Sequence, residues 1–318
     1  ASWLKHHWPT EFFAGLLNAQ PMGFYTPNSL VQDAQHHGVV MLPPDINQSW
    51  YDCTVIPHPV PKNETSVYLG SQWRRGRGPI DDPERMPVAL RVGLRYVRNL
   101  GDKEITRIEA ARQIGGPFDS PEDMAQRTGL EVGAFESLAA SGALVPLGLG
   151  RREGIWAAGG LAELGPGKLA LGDKTSSPQL VEMSPPEVMQ AELWSTSISP
   201  THPVQFLRAE LDRVGCVRAT DVLALHVHGK RMKVGGLITH RQRPSTARGV
   251  RFLNLEDETG LINVVVLPQV WEANYEVARK AIGVVIDGVV EYQDGVTNFV
   301  AHRFEDWPVT GIKSRDFR

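Results

Sequence analysis

The sequence lacks the features that mark several specialised classes of protein. It has only two cysteines, Cys53 and Cys216, which excludes a disulfide scaffold and is typical of a reducing compartment. It has no run of about 18 apolar residues and no signal peptide, so we expect no membrane contact and a cytoplasmic location. Its net charge of −3 does not by itself indicate a nucleic-acid-binding protein.

What is present indicates several folded parts. A chain of 318 residues is too long for one compact core, so two to four units are expected. Helical patterns dominate the first two thirds, and alternating patterns typical of strands follow. We therefore predict a multidomain α+β protein with five successive parts: a helical segment at 1–87, paired hairpins at 88–158, a linker with helices at 159–228, a barrel at 229–308 and a tail at 309–318.

The first predicted hairpin has a turn that suits a phosphate. Asn99-Leu100-Gly101 stands where helix-hairpin-helix motifs usually have Gly-x-Gly, and asparagine is the best substitute for glycine at a positive φ. The turn presents backbone amides at a helix N-terminus, and contacts of this kind are independent of base sequence. Arg98 and Lys103 flank the turn and are predicted to contact DNA.

A second hairpin is predicted further along the chain, with its turn at Ser141-Gly142 and with Arg151 and Arg152 following it. Two copies of one motif favour DNA contact more strongly than one copy does. An ordinary packed pair of helical hairpins explains the same pattern, so both interpretations stay open here.

From residue 229 onward, five strands with one helix between the third and fourth predict an OB-fold, a small barrel that often binds oligonucleotides. Arg241, Arg243 and Arg248, in or beside the loop after the first strand, are predicted to contact a nucleic-acid backbone. Phe252, Tyr292 and Phe299 are candidate stacking platforms, although a place in the barrel core is the stronger alternative for each of them. The first strand and this loop carry seven cations without an acidic residue: Lys230, Arg231, Lys233, Arg241, Arg243, Arg248 and Arg251.

No pattern typical of an active site is found. The sequence offers no nucleophile–base pair, no P-loop and no carboxylate set arranged for two-metal chemistry. We therefore predict no catalytic residue and no metal site in this chain. The basic loop at 73–78, "WRRGRG", fits a phosphate-binding loop and a solvated loop equally well.

Several strings resemble one known family. "SWLKHHWPTEFFAGLLN" and "GVVMLPPDIN" resemble the fingers region of the α subunit of bacterial DNA polymerase III, the C-family polymerases. "GLRYVRNLG" and "LAASGAL" before "GRREGIW" resemble that family's tandem helix-hairpin-helix. "NAQPMGFYTPNSLVQDA" resembles the error-prone branch, and we expect Met22, Phe24 and Tyr25 within it to wedge between helices. Residues 1–87 are then the end of the fingers.

The resemblance implies more than the residues themselves show. It implies a parent DNA polymerase that uses Mg²⁺ and works in translesion synthesis and damage-induced mutagenesis, with its catalytic aspartates outside this chain. This chain then needs no cofactor and contacts primer-template and single-stranded template DNA. An adapter protein is expected to reach the sliding clamp, because the closest clamp-binding string, Gln179 to Met183, lacks its terminal aromatic. A protein-interaction platform with little DNA binding remains the alternative.

Overall fold

The computed structural model describes residues 1–22, 25–58, 87–167, 180–293, 295–307 and 315–316. Two compact units form, at 1–200 and 201–318. The predicted basic loop at 73–78 lies outside the described residues. Among the residues that are described, no helix is both long and apolar enough to cross a membrane.

The first unit begins with three helices and a small sheet. Phe13 and Leu17 from the second helix pack against Leu30, Val31 and Leu90 in one apolar core. Along the small sheet the three strands stand in the order first, third, second, with the first parallel and the second antiparallel to the third. The elements are α1 (Ser2–His7), α2 (Pro9–Asn18), α3 (Pro27–His36), β1 (Val40–Leu42), β2 (Thr54–Pro57) and β3 (Val88–Arg91).

The string between α2 and α3 differs from its prediction at one residue. Tyr25 is 59% exposed, so it does not wedge between helices. Met22 is half-buried, and Phe24 lies outside the described residues. The start of α3 follows from its sequence, because the Thr26 hydroxyl accepts a hydrogen bond from the Ser29 amide at 3.0 Å and Pro27 occupies the first turn.

A second core in the same unit holds the hairpin helices together. Ile105, Ile108, Met124, Phe135 and Leu138 are all buried in it. Two short 3₁₀ helices, at Leu94–Tyr96 and Val145–Leu147, precede the two hairpin turns. The helices are α4 (Asp102–Gly115), α5 (Pro121–Thr128), α6 (Val132–Ser141), α7 (Arg151–Glu163) and α8 (Pro185–Thr196).

The second unit is built on a closed barrel. Its first strand pairs with the second and fourth strands, and the third pairs with the fifth in parallel, which closes the ring. The prediction of five barrel strands with a helical insertion between the third and fourth is confirmed, but the insertion consists of two short helices rather than one. The elements are α9 (Val204–Arg213), β4 (Cys216–Val217), α10 (Ala219–Ala224), β5 (Arg231–Gln242), β6 (Arg251–Asp257), β7 (Gly260–Val266), α11 (Pro268–Ala273), α12 (Tyr275–Lys280), β8 (Gly283–Gln293), β9 (Val296–Asp306) and β10 (Arg315–Asp316).

The segment predicted as a linker with helices is divided between the units. Helix α7 continues to Glu163, and α8 packs on α6 within the first unit. In the second unit, Leu211 of α9 and Val222 of α10 are buried in apolar clusters that include barrel residues. The described residues of this segment therefore belong to the two units rather than to a separate part.

Candidate nucleic-acid interface

The first hairpin turn has the backbone that its sequence predicts. Asn99 adopts a φ of 60°, which confirms that this position requires a residue tolerant of the left-handed region. Its side-chain amide donates hydrogen bonds to the Gly133 carbonyl and the Ser137 hydroxyl, both at 3.1 Å. Gly101 has a φ of −94°, so its backbone does not require glycine.

The amide at this turn is already occupied by the protein's own carboxylate. The Gly101 amide donates to Glu104 Oε2 at 3.0 Å, and Arg107 donates to Glu104 Oε1 at 3.0 Å. Hydrogen bonds from its own backbone and from Gly101, together with Arg107, hold the pKa of Glu104 below its ordinary value. Asp102 adds a second carboxylate to the first turn of α4. A phosphate here would compete with these groups.

The flanking cations of the first turn are exposed. Lys103 and Arg98 both reach solvent, and the Arg98 guanidinium lies 5.2 Å from the centre of the Trp194 ring. Trp194 is itself 47% exposed. This edge of the turn therefore combines positive charge with an aromatic surface.

The second turn lies later than predicted. Ser141 and Gly142 are buried, and Gly142 ends α6 with a φ of 83°. The guanidinium of Arg151 covers Gly142, because a Cβ there would lie only 2.3 Å from Arg151 Nη1. Ser141 and Gly142 are therefore a buried helix end, which an external DNA backbone does not reach.

The turn that leads into α7 is Gly148-Leu149-Gly150. Gly148 has a φ of 78° and Gly150 has the extended backbone of an N-cap, so they match Asn99 and Gly101 of the first turn. The signal was present in the sequence, because these three residues read Gly-x-Gly. The Ser-Gly pair before them is also a turn signal, and for this reason we predicted the hairpin turn at Ser141-Gly142, which is wrong.

The start of α7 differs from the start of α4 in being open. Within the described part of the chain, no side chain caps the amides at the start of α7. Nothing lies within 4 Å of the position that a Cβ of Gly148 or Gly150 would occupy. Packing therefore does not require glycine at 150, and the amides carry no capping side chain, although Glu153 places one carboxylate in the first turn of α7.

The two arginines after this turn bind another helix. Arg151 donates to the Glu192 carboxylate at 2.8 Å and to the Ala140 carbonyl at 2.9 Å. Arg152 donates to the Glu187 carboxylate at 2.7 Å. Burial lowers the pKa of Arg151, and Glu192 opposes this effect. Both arginines, which we predicted to contact DNA, therefore hold α8 in place.

The seven cations of the barrel sequence do not form one patch. Lys230, Arg231 and Lys233 lie at the start of β5, and the others lie toward its end, roughly 35 Å away along a straight strand of this length. Arg231 Nε donates to Asp287 Oδ1 at 2.8 Å, and Lys233 is opposite the same aspartate in the β5–β8 register. Only Lys230 of this group is exposed without a neighbouring carboxylate among the described residues.

Arg241 does not occupy the exposed position that our prediction of a contact with a nucleic-acid backbone requires. It lies within β5 rather than in the loop, and it is 8% exposed. Its Nε donates to the Ala278 carbonyl at 2.9 Å, and its Nη2 donates to the Ala281 carbonyl. A guanidinium buried against the end of α12 is inaccessible to a nucleic-acid backbone, so its role is structural.

The remaining cations gather at the end of β5. Arg243 and Arg248 are exposed in the loop at 243–250, and Arg251 lies with its guanidinium 3.9 Å from the centre of the Trp271 ring. Phe252 is half-buried on the barrel face opposite Leu253, and its register neighbours are Gln242 and Val265.

The other two aromatic candidates have different positions. Phe299 is fully buried in the barrel core, which excludes it as a stacking platform. Tyr292 is half-buried, and its ring lies 4.9 Å from that of His226. Phe252 is therefore the candidate that lies on the outer face of the barrel.

Comparisons with known proteins identify one family model and several similar chains. A family model described as "Helix-hairpin-helix motif" matches residues 38–154, a range that contains both turns. The "Error-prone DNA polymerase" of Corynebacterium efficiens is 41% identical over 100% of this chain, and that of Mycolicibacterium paratuberculosis is 39% identical over 100% of it. The asparaginyl-tRNA synthetase of Pyrococcus horikoshii matches 28% of the chain and 22% of its own, at 21% identity and a TM-score of 0.25.

The chain spans 27% of the length of these two polymerases. Over its whole length it is homologous to the C-terminal part of error-prone DNA polymerases. The family that the sequence strings resemble is thereby confirmed.

Proposed function

We propose that this chain is the DNA-holding part of an error-prone DNA polymerase that takes part in translesion synthesis and induced mutagenesis. In this proposal it binds primer-template DNA through the phosphate backbone and without reading base sequence. The chemical step and its Mg²⁺ ions belong to the remainder of the polymerase, and an adapter protein provides the connection to the sliding clamp.

One observation carries the proposal: the open Gly148-Leu149-Gly150 turn at the start of α7. Its amides have no side-chain cap in the described structure, and nothing lies within 4 Å of the Cβ positions of Gly148 and Gly150. A helix N-terminus of this kind favours a phosphate through both its free amides and its dipole. The match of this range to the helix-hairpin-helix model and the polymerase relatives support DNA as the source of that phosphate.

The proposal is tested by a substitution that places a carboxylate in the anion site and preserves the fold. Gly150 has the extended backbone of an N-cap, a position where aspartate is preferred, so Gly150→Asp should stabilise α7 by a few tenths of a kcal/mol. The new carboxylate would accept hydrogen bonds from the amides at the start of α7 and would repel a phosphate. We expect duplex affinity, measured by fluorescence anisotropy, to fall about tenfold, which corresponds to about 1.4 kcal/mol. The salt slope should flatten by about 0.9, the value of one phosphate contact.

The matched control carries the same charge change on the same helix. Gly159 is exposed with nothing within 4 Å of its Cβ position, so Gly159→Asp adds one negative charge away from the turn. Its duplex affinity should stay close to that of the parent chain. Equal losses in both variants, or an unchanged slope in a folded Gly150→Asp chain, would refute phosphate binding at this turn. Losses that differed between unrelated duplex sequences would contradict backbone recognition.

A further inference from the structure

An exposed tryptophan of α8 lies beside the first hairpin turn. Arg98 directly precedes the turn residue Asn99, and its guanidinium lies 5.2 Å from the centre of the Trp194 ring. Both side chains are exposed, and Trp194 leaves 47% of its surface to solvent. The two residues, here called the Arg98–Trp194 pair, therefore present a planar cation and an aromatic ring on one surface.

The backbone fixes the position of this pair. The Arg98 amide donates a hydrogen bond to the Ser195 carbonyl at 2.7 Å, so the residue that follows Trp194 is tied to the residue that precedes the turn. Ser195 is itself fully buried. Two carboxylates of α8, those of Glu192 and Glu187, bind the two arginines at the start of α7. Helix α8 is therefore attached to both hairpins.

The C-terminal end of α8 is also attached to α3. The Ser199 hydroxyl donates to the Glu192 carboxylate at 2.8 Å, and the Ser199 amide donates to Asn28 Oδ1 at 3.0 Å. Gln32 Nε2 donates to the Ser199 carbonyl at 2.9 Å. Trp194 therefore stands on a helix end that is held at several points. A ring on such a fixed support loses little freedom when it contacts a ligand.

The positive charge of the pair lacks a counter-charge in the described part of the chain. Among the residues described, no carboxylate lies within ion-pair distance of Arg98. The two acidic residues at the start of α4 have other partners. Asp102 accepts a hydrogen bond from the Tyr51 hydroxyl at 2.9 Å, and Glu104 accepts one from the Arg107 guanidinium. The Arg98 guanidinium is therefore available to an external anion.

The first hairpin needs a contact of this kind if it is to hold DNA. Its turn amide, which a phosphate would use, is occupied by the carboxylate of Glu104. The amides of the second turn have no side-chain cap in the described structure. The DNA backbone alternates anionic phosphates with apolar sugar faces. A guanidinium binds a phosphate through charge-assisted hydrogen bonds, and an indole ring packs on an apolar face.

We propose that the Arg98–Trp194 pair binds one sugar-phosphate unit of duplex DNA. The Arg98 guanidinium donates to the phosphate, and the Trp194 ring covers the adjoining deoxyribose. Arginine and tryptophan are residue types that contribute strongly to binding at interfaces, and contacts to the backbone are independent of base sequence. The inference rests on the proposed function and extends it, because it gives the first hairpin a contact that does not use its helix N-terminus.

The role of the ring is tested with two substitutions at Trp194. The complete 318-residue chain is titrated with a dye-labelled duplex by anisotropy across a salt series. Trp194→Ala should weaken binding about tenfold and leave the salt slope unchanged, because the ring contributes contact but no charge. Trp194→Phe should retain part of the affinity, because it keeps an aromatic ring. Trp3→Ala is the matched control, since Trp3 is 63% exposed on α1, and it should leave the affinity unchanged.

The role of the guanidinium is tested through the salt dependence of the same binding. Arg98→Gln should weaken binding and flatten the salt slope by about 0.9, the value of one phosphate contact on a duplex. Arg98→Lys should keep the slope, because it keeps the charge. Arg213→Gln is the matched control, because it removes an exposed charge at the end of α9. It should change neither the affinity nor the slope.

A double substitution separates direct contact by Trp194 from mere support of Arg98. If the ring only held the guanidinium, Trp194→Ala would have no effect in an Arg98→Gln chain. Contact with deoxyribose instead predicts a further loss of affinity in the double variant. Acrylamide quenching of tryptophan fluorescence gives an independent measurement. Saturating duplex should reduce the quenching in the parent chain, and this reduction should be smaller in the Trp194→Phe chain.

Each of three results would overturn the inference. The first is unchanged duplex affinity in folded Trp194→Ala and Arg98→Gln chains. The second is the absence of a further loss in the double variant, together with equal protection from acrylamide in the parent and Trp194→Phe chains. The third is poly-glutamate binding that depends on Trp194 while duplex binding does not, since an acidic protein segment would then be the occupant.

The outcome is separable from that of the proposed function. Gly150→Asp acts at the second turn, so its effect on the salt slope should add to that of Arg98→Gln. Unchanged binding in the Arg98 and Trp194 variants alone removes only the contact at the first hairpin. Unchanged binding in the Gly150→Asp chain alone removes only the phosphate site of the second turn. A parent chain that binds no duplex refutes both.

Discussion

At the first hairpin turn the carboxylate of Glu104 competes with a phosphate for the backbone amide. The effect of removing this carboxylate on duplex affinity can be calculated. Glu104 accepts the Gly101 amide at 3.0 Å, the position that a DNA phosphate would take if the two hairpins bound alike. Replacing it with glutamine removes one negative charge from the helix N-terminus and keeps the side-chain length. We expect Glu104→Gln to raise duplex affinity, because a phosphate would no longer face a carboxylate at this turn.

The size of the effect follows from Coulomb's law. Two unit charges about 6 Å apart at a surface, in nearly bulk water, repel by about 0.7 kcal/mol, which is a roughly threefold change in affinity. If the released amide then takes a phosphate, the salt slope should steepen by up to about 0.9. The cost in stability is small, because an exposed ion pair and a charge at a helix start contribute about 0.3–1 kcal/mol each.

The assay is duplex titration by anisotropy across a salt series, with thermal unfolding measured in parallel. Glu122→Gln is the matched control, because Glu122 is exposed in the first turn of α5 and its replacement makes the same charge change. The reasoning fails if Glu104→Gln leaves affinity and slope unchanged or weakens binding. It also fails if Glu122→Gln gives an equal gain, since the effect would then be one of total charge.

Two further predictions concern the barrel and the chemistry. Arg241→Met should lower the free energy of unfolding by about 2 kcal/mol, because it leaves the buried Ala278 and Ala281 carbonyls without charged donors. The salt slope of DNA binding by the folded variant should not change. A stable variant with a flatter slope would contradict the structural role of Arg241. The purified chain should extend no primer with Mg²⁺ and all four nucleotides, and extension activity that followed the chain through purification would show that part of the chemistry lies here.

The elements were predictable from sequence because their causes are local. The barrel strands alternate apolar and polar residues, and Ser120 caps α5 by accepting a hydrogen bond from the Asp123 amide, while Glu187 accepts one from the Ser184 amide at the start of α8. Asn99 was recognisable because few residues other than glycine tolerate its backbone. In each case the deciding interaction lies within a few residues of the signal.

The roles of the arginines were not predictable because their partners are distant in sequence. Arg151 meets Glu192 on α8, and Arg241 meets carbonyls at the end of α12. Sequence shows a cation but not the carboxylate or carbonyl that folding brings to it. A run of cations without acidic neighbours therefore overstates the number available to a ligand, as β5 illustrates.

The same reasoning explains why the net charge of −3 says little about DNA binding by this chain. At physiological ionic strength the Debye length is about 8 Å, so a phosphate senses the groups within that distance rather than the whole chain. Near the second turn those groups are uncapped amides and the carboxylate of Glu153, because Arg151 and Arg152 are neutralised by Glu192 and Glu187. Amides bind any phosphate and cannot identify a base, so an interface built on them holds DNA without discriminating between sequences. The arginines at the end of β5 add charge only where the barrel leaves it uncompensated.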